Sequence, residues 1–172
     1  MGCLATCYKM IRTYFEGPDS VKESEKKLTT KAFSNDTGFN EHFYLKKLAD
    51  SNYKLEVILE TPYMLKEYEK LNSELDTSIP IKFNLISTKD IENLLNDGYL
   101  IITLLDLWDI DMTIHFPHYV IINGIDKTNI FILDPKYKKE IKCSKNRFES
   151  MIENLKYKLE YSPILFAIKK SS

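Results

Sequence analysis

Three side-chain types in this sequence could together perform nucleophilic chemistry: a cysteine, a histidine and an aspartate. His118 opens an apolar, β-branched run that continues to Asp126, and Asp134 closes a second such run that starts at Ile130. Two runs of this kind separated by a short polar turn indicate a β-hairpin. The hairpin can bring an imidazole next to a carboxylate, and Cys3 supplies a candidate nucleophile.

The register of this hairpin decides whether the imidazole and the carboxylate can meet. Successive side chains of a strand point to opposite faces, so a regular hairpin with an even-numbered loop separates Asp134 from His118. An odd-numbered loop, or one extra residue in a strand, places them on the same face. Gly124 is isolated in an apolar strand, which is typical of a β-bulge. We therefore predict a bulge or an odd turn between Ile122 and Ile130.

The thiol of Cys3 lies at the start of a predicted helix that ends at Gly17-Pro18. Unpaired backbone N–H groups and the helix dipole favour an anion there, which lowers the pKa of a thiol. Cys7, in the body of the same helix, is expected to be a small core residue. An alternative hypothesis is lipidation, because Met1 to Thr6 fits the pattern for myristoylation of Gly2 with palmitoylation of Cys3.

The elements that must position these residues follow from apolar periodicity and turn signals. We expect one α+β domain over residues 1–172, with helices gathered first and an antiparallel sheet later. The predicted helices are 3–16, 19–28, Asn40–Ala49 with Asn40 as its cap, one that starts at Thr61-Pro62, one from Ser87 to Asp97, and 146–156. The predicted strands are 54–60, 81–86, 99–105, 118–125, 130–134, 140–142 and 164–168, with a frayed tail at 169–172.

The loop after the predicted central strand 99–105 carries a second group of candidate residues. Asp106, Trp108, Asp109 and Asp111 form either a substrate-facing wall or a solvated loop, and we name Asp106 and Trp108 as candidate substrate-binding residues. His115, in the same loop, has no obvious partner. His42 lies between Glu41 and Phe43 and is expected at the surface.

Composition excludes several classes of protein. With 24 basic and 25 acidic residues, the chain has no field that would recruit nucleic acid or an anionic membrane. No apolar run approaches the roughly 20 residues needed to span a bilayer. Three cysteines argue against a disulfide framework, and their spacing is not that of a zinc site. We expect a cytoplasmic protein that needs no cofactor or metal.

Together these residues resemble a known family. The helix opening Cys3–Ile11, the strand His118–Asp126 and the sequence Ile132-Leu-Asp134-Pro135 are similar to the double-glycine leader peptidases that process bacteriocin precursors. The resemblance implies a papain-like fold, with the helix that carries the nucleophile packed on an antiparallel sheet. It also implies Cys3 as nucleophile, His118 as general base and Asp134 as the group that orients the imidazole.

A second resemblance concerns Leu105-Asp106-Leu107-Trp108, which is similar to the butirosin-type acyltransferases that move an acyl group from a carrier protein to an amine. Two features differ from the peptidase pattern: Leu4 replaces the glycine after the nucleophile, and the printed sequence contains no glutamine to stabilise the oxyanion. Backbone N–H groups around Cys3 or an asparagine are the expected substitutes. The hypotheses are a peptidase, an acyltransferase and a non-catalytic binding module, each with a peptide or an acyl carrier as partner.

Overall fold

The first element of the structure is the helix that carries Cys3. The computed structural model describes residues 2–34, 38–39, 41–75, 78–112 and 114–171. Helix α1 spans Cys3–Glu16 and buries Leu4, Ala5, Cys7, Tyr8 and Ile11. It ends at Gly17, whose φ of 95° lies in the left-handed region that favours glycine. The helix predicted from Cys3 to the turn at Gly17-Pro18 is confirmed.

Six further helices and nine strands follow in the described part of the chain. The helices are α2 (Glu25–Ala32), α3 (His42–Ala49), α4 (Leu65–Ser73), α5 (Thr88–Asn96), α6 (Trp108–Asp111) and α7 (Lys145–Leu159), with a 3-10 turn at Pro62–Met64 before α4. The strands are β1 (Phe33–Ser34), β2 (Gly38–Phe39), β3 (Tyr53–Leu59), β4 (Ile81–Phe83), β5 (Leu100–Asp106), β6 (Pro117–Ile125), β7 (Asn129–Asp134), β8 (Lys139–Ser144) and β9 (Ile164–Lys170).

Seven of the strands form one sheet in the order β4-β3-β9-β5-β6-β7-β8. The continuous apolar strand β5 occupies its centre, as predicted for a strand covered on both faces. All neighbouring pairs are antiparallel except β3 and β4, which are parallel. The fold is therefore α+β as predicted, but one edge of the sheet departs from the expected antiparallel pattern.

Alternating side chains of the sheet divide the buried residues into two clusters. Ile102, on one face of β5, belongs to the cluster that contains buried residues of α1, α2, α3 and α4. Ile101, on the other face, belongs to the cluster that contains buried residues of α5 and α7. Helices thus cover both faces of the sheet, with α1 packed against β6. In the described residues, no helix combines the length and apolar character that a membrane span requires.

Some element boundaries differ from the predictions. The helix predicted from Asp19 begins at Glu25, because the Ser24 hydroxyl caps it by accepting the backbone N–H of Lys27 at 3.3 Å. The same helix continues to Ala32, four residues beyond its predicted end. Asn40, the predicted cap of α3, lies outside the described residues. The tail predicted to fray is instead part of β9 as far as Lys170, since it pairs with β3.

Candidate active site

The hairpin of β6 and β7 contains the irregularity that its side-chain pattern predicted. The pairing register shifts between Ile122 and Gly124, so that Asn123 is an extra residue in β6. Because of this extra residue, Asp134 reaches the sheet on the same face as His118. The predicted bulge is confirmed, and with it the geometric condition for contact between the two side chains.

The imidazole of His118 contacts the carboxylate of Asp134. His118 Nε2 lies 3.1 Å from Asp134 Oδ1, and the backbone N–H of Lys136 donates to the same oxygen at 2.7 Å. Asp134 is fully buried and His118 is 5% exposed. Burial acts to raise the pKa of Asp134, but the hydrogen bond and positive charge of His118, together with the backbone donors, lower it overall. The carboxylate is therefore held in its charged form.

The sulfur of Cys3 completes the cluster. The His118 side chain and the backbone N–H of Tyr119 lie close enough to this sulfur to lower the pKa of its thiol. Because Nε2 of His118 faces Asp134, Nδ1 is the ring nitrogen left for the sulfur. The described structure thus brings together Cys3, His118 and Asp134, the three residues that the sequence analysis named.

Electrostatics favour a charged pair between this thiol and this imidazole. Burial acts to raise the pKa of Cys3, but the contacts with His118 and with backbone N–H groups lower it from its ordinary value. Burial acts to lower the pKa of His118, yet the hydrogen bonds to Asp134 and Cys3 raise it to about 9. Both shifts favour the charged pair, a thiolate beside an imidazolium, over the neutral pair.

A second cysteine helps to place α1 on the sheet. Cys7 is fully buried, and its Sγ donates to the backbone carbonyl of Tyr119 at 3.5 Å. The described pairing of β6 with β7 begins at Ile121, so the edge of β6 at Tyr119 is open to the helix. Burial raises the pKa of Cys7 well above its ordinary value. This thiol is structural, as predicted, and it fixes Cys3 one helical turn away.

A groove opens beside Cys3. The groove has a volume of about 1040 Å³, and its lining is partly aromatic, partly aliphatic and partly charged. The aromatic residues are the exposed Tyr63, Phe116 and Tyr161. The others include Met64, Leu71, Leu104 and Ile164, which are apolar, and Glu41, Glu67, Lys46 and Lys70, which are charged. Burial raises the pKa of Glu41, which accepts a hydrogen bond from Tyr68 Oη at 3.4 Å. This volume is at the upper end of that of small-molecule pockets.

The two predicted substrate-binding residues do not line this groove. Asp106 is fully buried, and its Oδ1 accepts the backbone N–H groups of Trp108 and Phe116 at 3.1 Å each. Asp106 does not face the groove, because its carboxylate is used within the loop, and substrate binding by Asp106 or Trp108 stays a prediction. The indole of Trp108 stacks on the ring of His115 with centroids 4.8 Å apart. The side chains of Asp109 and Asp111 lie outside the described residues.

Two histidines have partners that the sequence did not reveal. His115 Nδ1 lies 2.6 Å from Asp106 Oδ2, although it was predicted to lack a partner. His42 was predicted at the surface, but it is half-buried, lines the groove and packs edge-on against Tyr68 at 4.6 Å. Burial lowers the pKa of His42. Neither contact falls at the spacing of a helix or a strand, so the sequence pattern carries no direct signal of it.

The chain belongs to a family of cysteine peptidase-like proteins. The model of the Peptidase_C39 like family matches residues 63–154, more than half of the chain. The match includes His118 and Asp134, while Cys3 lies before it. The predicted family is thereby confirmed, and the resemblance to acyltransferases stays a prediction.

The fold agrees with this family assignment. The crystal structure of a Bacillus anthracis protein provisionally designated a C39-like peptidase matches with a TM-score of 0.55 and 15% sequence identity. The match covers 99% of this chain and 90% of that one. At this identity the similarity concerns the fold alone, and it fits the predicted papain-like architecture. No protein among the curated ones matches the chain.

A metal ion needs several ligand side chains that converge on one point. Within the described ranges, no three His, Cys, Asp or Glu side chains converge as a metal ion would require.

The charge state of Cys3 can be tested by replacing His118 with alanine. In the parent protein we expect Cys3 to be alkylated selectively between about pH 5 and pH 9, because the thiolate is the reactive form. Without His118, only the backbone N–H groups oppose the effect of burial on the thiol, so its pKa rises and the rate at neutral pH falls about tenfold for each unit of pKa. The measurement is the rate of alkylation by iodoacetamide, with the labelled cysteine identified by mass spectrometry.

Cys7 and Cys143 are internal controls in the same experiment. Both are buried and both have raised pKa values, so both should react slowly in either variant. Equal rates for all three cysteines in the native parent protein would contradict the charged pair.

The charge of Asp134 should set the pH above which His118 loses its proton. Asp134→Asn keeps an oxygen acceptor but removes the charge, so we expect the pKa of His118 to fall from about 9 by about one pH unit or more. Asp134→Ala removes the hydrogen bond as well and should lower it further. The measurement is a titration of the imidazole resonances by NMR, with His118 assigned by its loss in His118→Ala.

Asp126→Asn is the matched control, since Asp126 lies in the turn of the same hairpin and is exposed to solvent. We expect this substitution to leave the titration of His118 unchanged. An equal shift in both asparagine variants would mean that the contact between Asp134 and His118 does not set this pKa.

Proposed function

We propose that this chain is a cysteine hydrolase that cleaves a peptide or similar amide bond through a thioester on Cys3. The observation that carries the proposal is the contact of a thiol of lowered pKa with a buried imidazole that is itself bonded to a carboxylate. Membership of a peptidase-like family supports the same conclusion. The groove beside Cys3 is the proposed site for the substrate.

The proposed acylation step uses the charged pair directly. The Cys3 thiolate attacks the carbonyl carbon and forms a tetrahedral intermediate with a negative oxygen. As the carbon–nitrogen bond breaks, the imidazolium of His118 gives its Nδ1 proton to the leaving amine. The product of this step is a thioester, an amine and a neutral His118. Asp134 holds the imidazole in place and stabilises its charged form.

The proposed deacylation step restores the enzyme. Neutral His118 removes a proton from a water molecule, whose oxygen attacks the thioester carbon. The carbon–sulfur bond then breaks, so that the acid product leaves and the Cys3 thiolate returns beside the imidazolium. An amine that took the place of water would give acyl transfer by the same residues.

The oxyanion of these steps needs hydrogen-bond donors other than a glutamine, which the printed sequence lacks. The first four N–H groups of a helix have no partner within it, and Cys3 is the first residue of α1. The backbone N–H of Cys3 is therefore the proposed donor. Loss of one such donor typically costs about 100 to 1,000-fold in rate, so we expect slow turnover.

The proposal is tested with Cys3→Ala on a library of internally quenched peptides. We expect the parent to cleave members of the library slowly, since the weak oxyanion site slows both steps, and acid quenching should trap a covalent acyl adduct on Cys3. Cys3→Ala should abolish cleavage because no other described thiol contacts His118. The measurement combines fluorescence release with intact-protein mass spectrometry after acid quenching.

Cys143→Ala is the control, because it removes a buried thiol that lies in the other core cluster. Cleavage that persists in Cys3→Ala would overturn the proposal. A parent that binds peptides in the groove but forms no adduct would point to the binding module instead. Transfer of the acyl group to added hydroxylamine faster than to water would favour the acyltransferase.

A further inference from the structure

One buried carboxylate organises the loop between β5 and β6. Asp106 is the last residue of β5 and pairs with Pro117, the first residue of β6, so the two mark where the loop leaves the sheet. Asp106 Oδ1 accepts the backbone N–H of Trp108 from the start of the loop and that of Phe116 from its end. The backbone N–H of Leu107 also donates to the carbonyl of Phe116 at 2.9 Å.

The other oxygen of the same carboxylate contacts a histidine. Asp106 Oδ2 lies 2.6 Å from His115 Nδ1, and the His115 ring stacks on the Trp108 indole with an interplanar angle of 19°. The Asp106 side chain is fully buried, whereas one third of the His115 side chain is exposed. We call Asp106, Trp108 and His115 the loop clamp, because they join both arms of the loop to one carboxylate.

The loop clamp lies directly behind one wall of the groove. Phe116 and Pro117 line the groove, and the backbone of Phe116 is bonded to Asp106 by the contact described above. His118 follows in sequence but is held separately, since it pairs with Leu105 in the sheet and bonds to Asp134. A change in the loop clamp can therefore displace Phe116 and Pro117 while His118 keeps its contacts.

We propose that the loop clamp positions the substrate by fixing the Phe116-Pro117 wall of the groove, without setting the reactivity of Cys3. This inference rests on the function proposed above and adds His115 and Asp106 to it as positioning residues. Loss of His115 leaves a buried carboxylate without one of its donors, a state that is costly in a protein interior. The loop then rearranges or admits water, and the wall shifts.

The test compares two thiol reagents on three variants. Iodoacetamide needs only the thiolate, whereas acetyl-Leu-Leu-Gly-Gly-chloromethyl ketone must also place a peptide arm in the groove. In His115→Ala we expect the concentration for half-maximal inactivation by the peptide reagent to rise about tenfold, since small displacements of positioning groups have large effects. The maximal inactivation rate and the iodoacetamide rate should stay within about twofold.

Two further variants separate positioning from a general loss of structure. His115→Asn presents an amide N–H close to where Nδ1 lies, so it should restore most of the affinity for the peptide reagent. Ile114→Ala, an exposed neighbour that does not line the groove, should behave as the parent. Thermal unfolding of every variant records whether the fold is retained.

The outcomes distinguish the inference from the proposed function. Slow, unselective alkylation of Cys3 in the parent would overturn the proposed function. Selective alkylation of Cys3 with no change for the peptide reagent in His115→Ala would overturn the inference alone. The inference alone would also be overturned if inactivation of the parent by the peptide reagent showed no saturation. A fall in the iodoacetamide rate of His115→Ala as large as the fall in affinity for the peptide reagent would have the same meaning.

Discussion

The site depends on one buried imidazole that lies between a carboxylate and a thiol. Burial alone would keep His118 neutral, and burial alone would keep Cys3 protonated. A pKa of about 9 instead of 6.5 for His118 corresponds to a preference for the imidazolium on the order of 3 kcal/mol. The contacts with Asp134 and Cys3 therefore outweigh desolvation. If either partner were displaced, the low-dielectric surroundings would favour the neutral forms and the nucleophile would be lost.

Three features of the sheet make this contact possible. The extra residue Asn123 brings Asp134 to the face of His118, and β7 ends there. The edge of β6 beyond that point is left to α1. There Cys7 donates to the carbonyl of Tyr119, and the backbone N–H of Tyr119 helps to lower the pKa of Cys3. Cys3 is thus held by its position at the start of α1 and by the edge of β6 that β7 leaves unpaired.

Local patterns were sufficient for the parts of the structure that local forces decide. The helix α1 and the central strand β5 follow from the periodicity of apolar residues, and the bulge follows from Gly124, an isolated glycine in an apolar strand. The partners of His42, Asp106 and His115 could not be inferred, because they depend on which loop arms and helices meet in three dimensions. The resemblance supplied the family order of the three central residues, whereas the parallel edge of the sheet had no recognisable signal.

The most direct test of the central claim is the ultraviolet absorbance of the thiolate, measured as the difference between the parent and Cys3→Ala across a pH titration. We expect the thiolate signal of Cys3 to appear below the ordinary thiol pKa of 9.0, and to move to higher pH in His118→Ala. A parent whose Cys3 ionises only above that value, with or without His118, would contradict that claim.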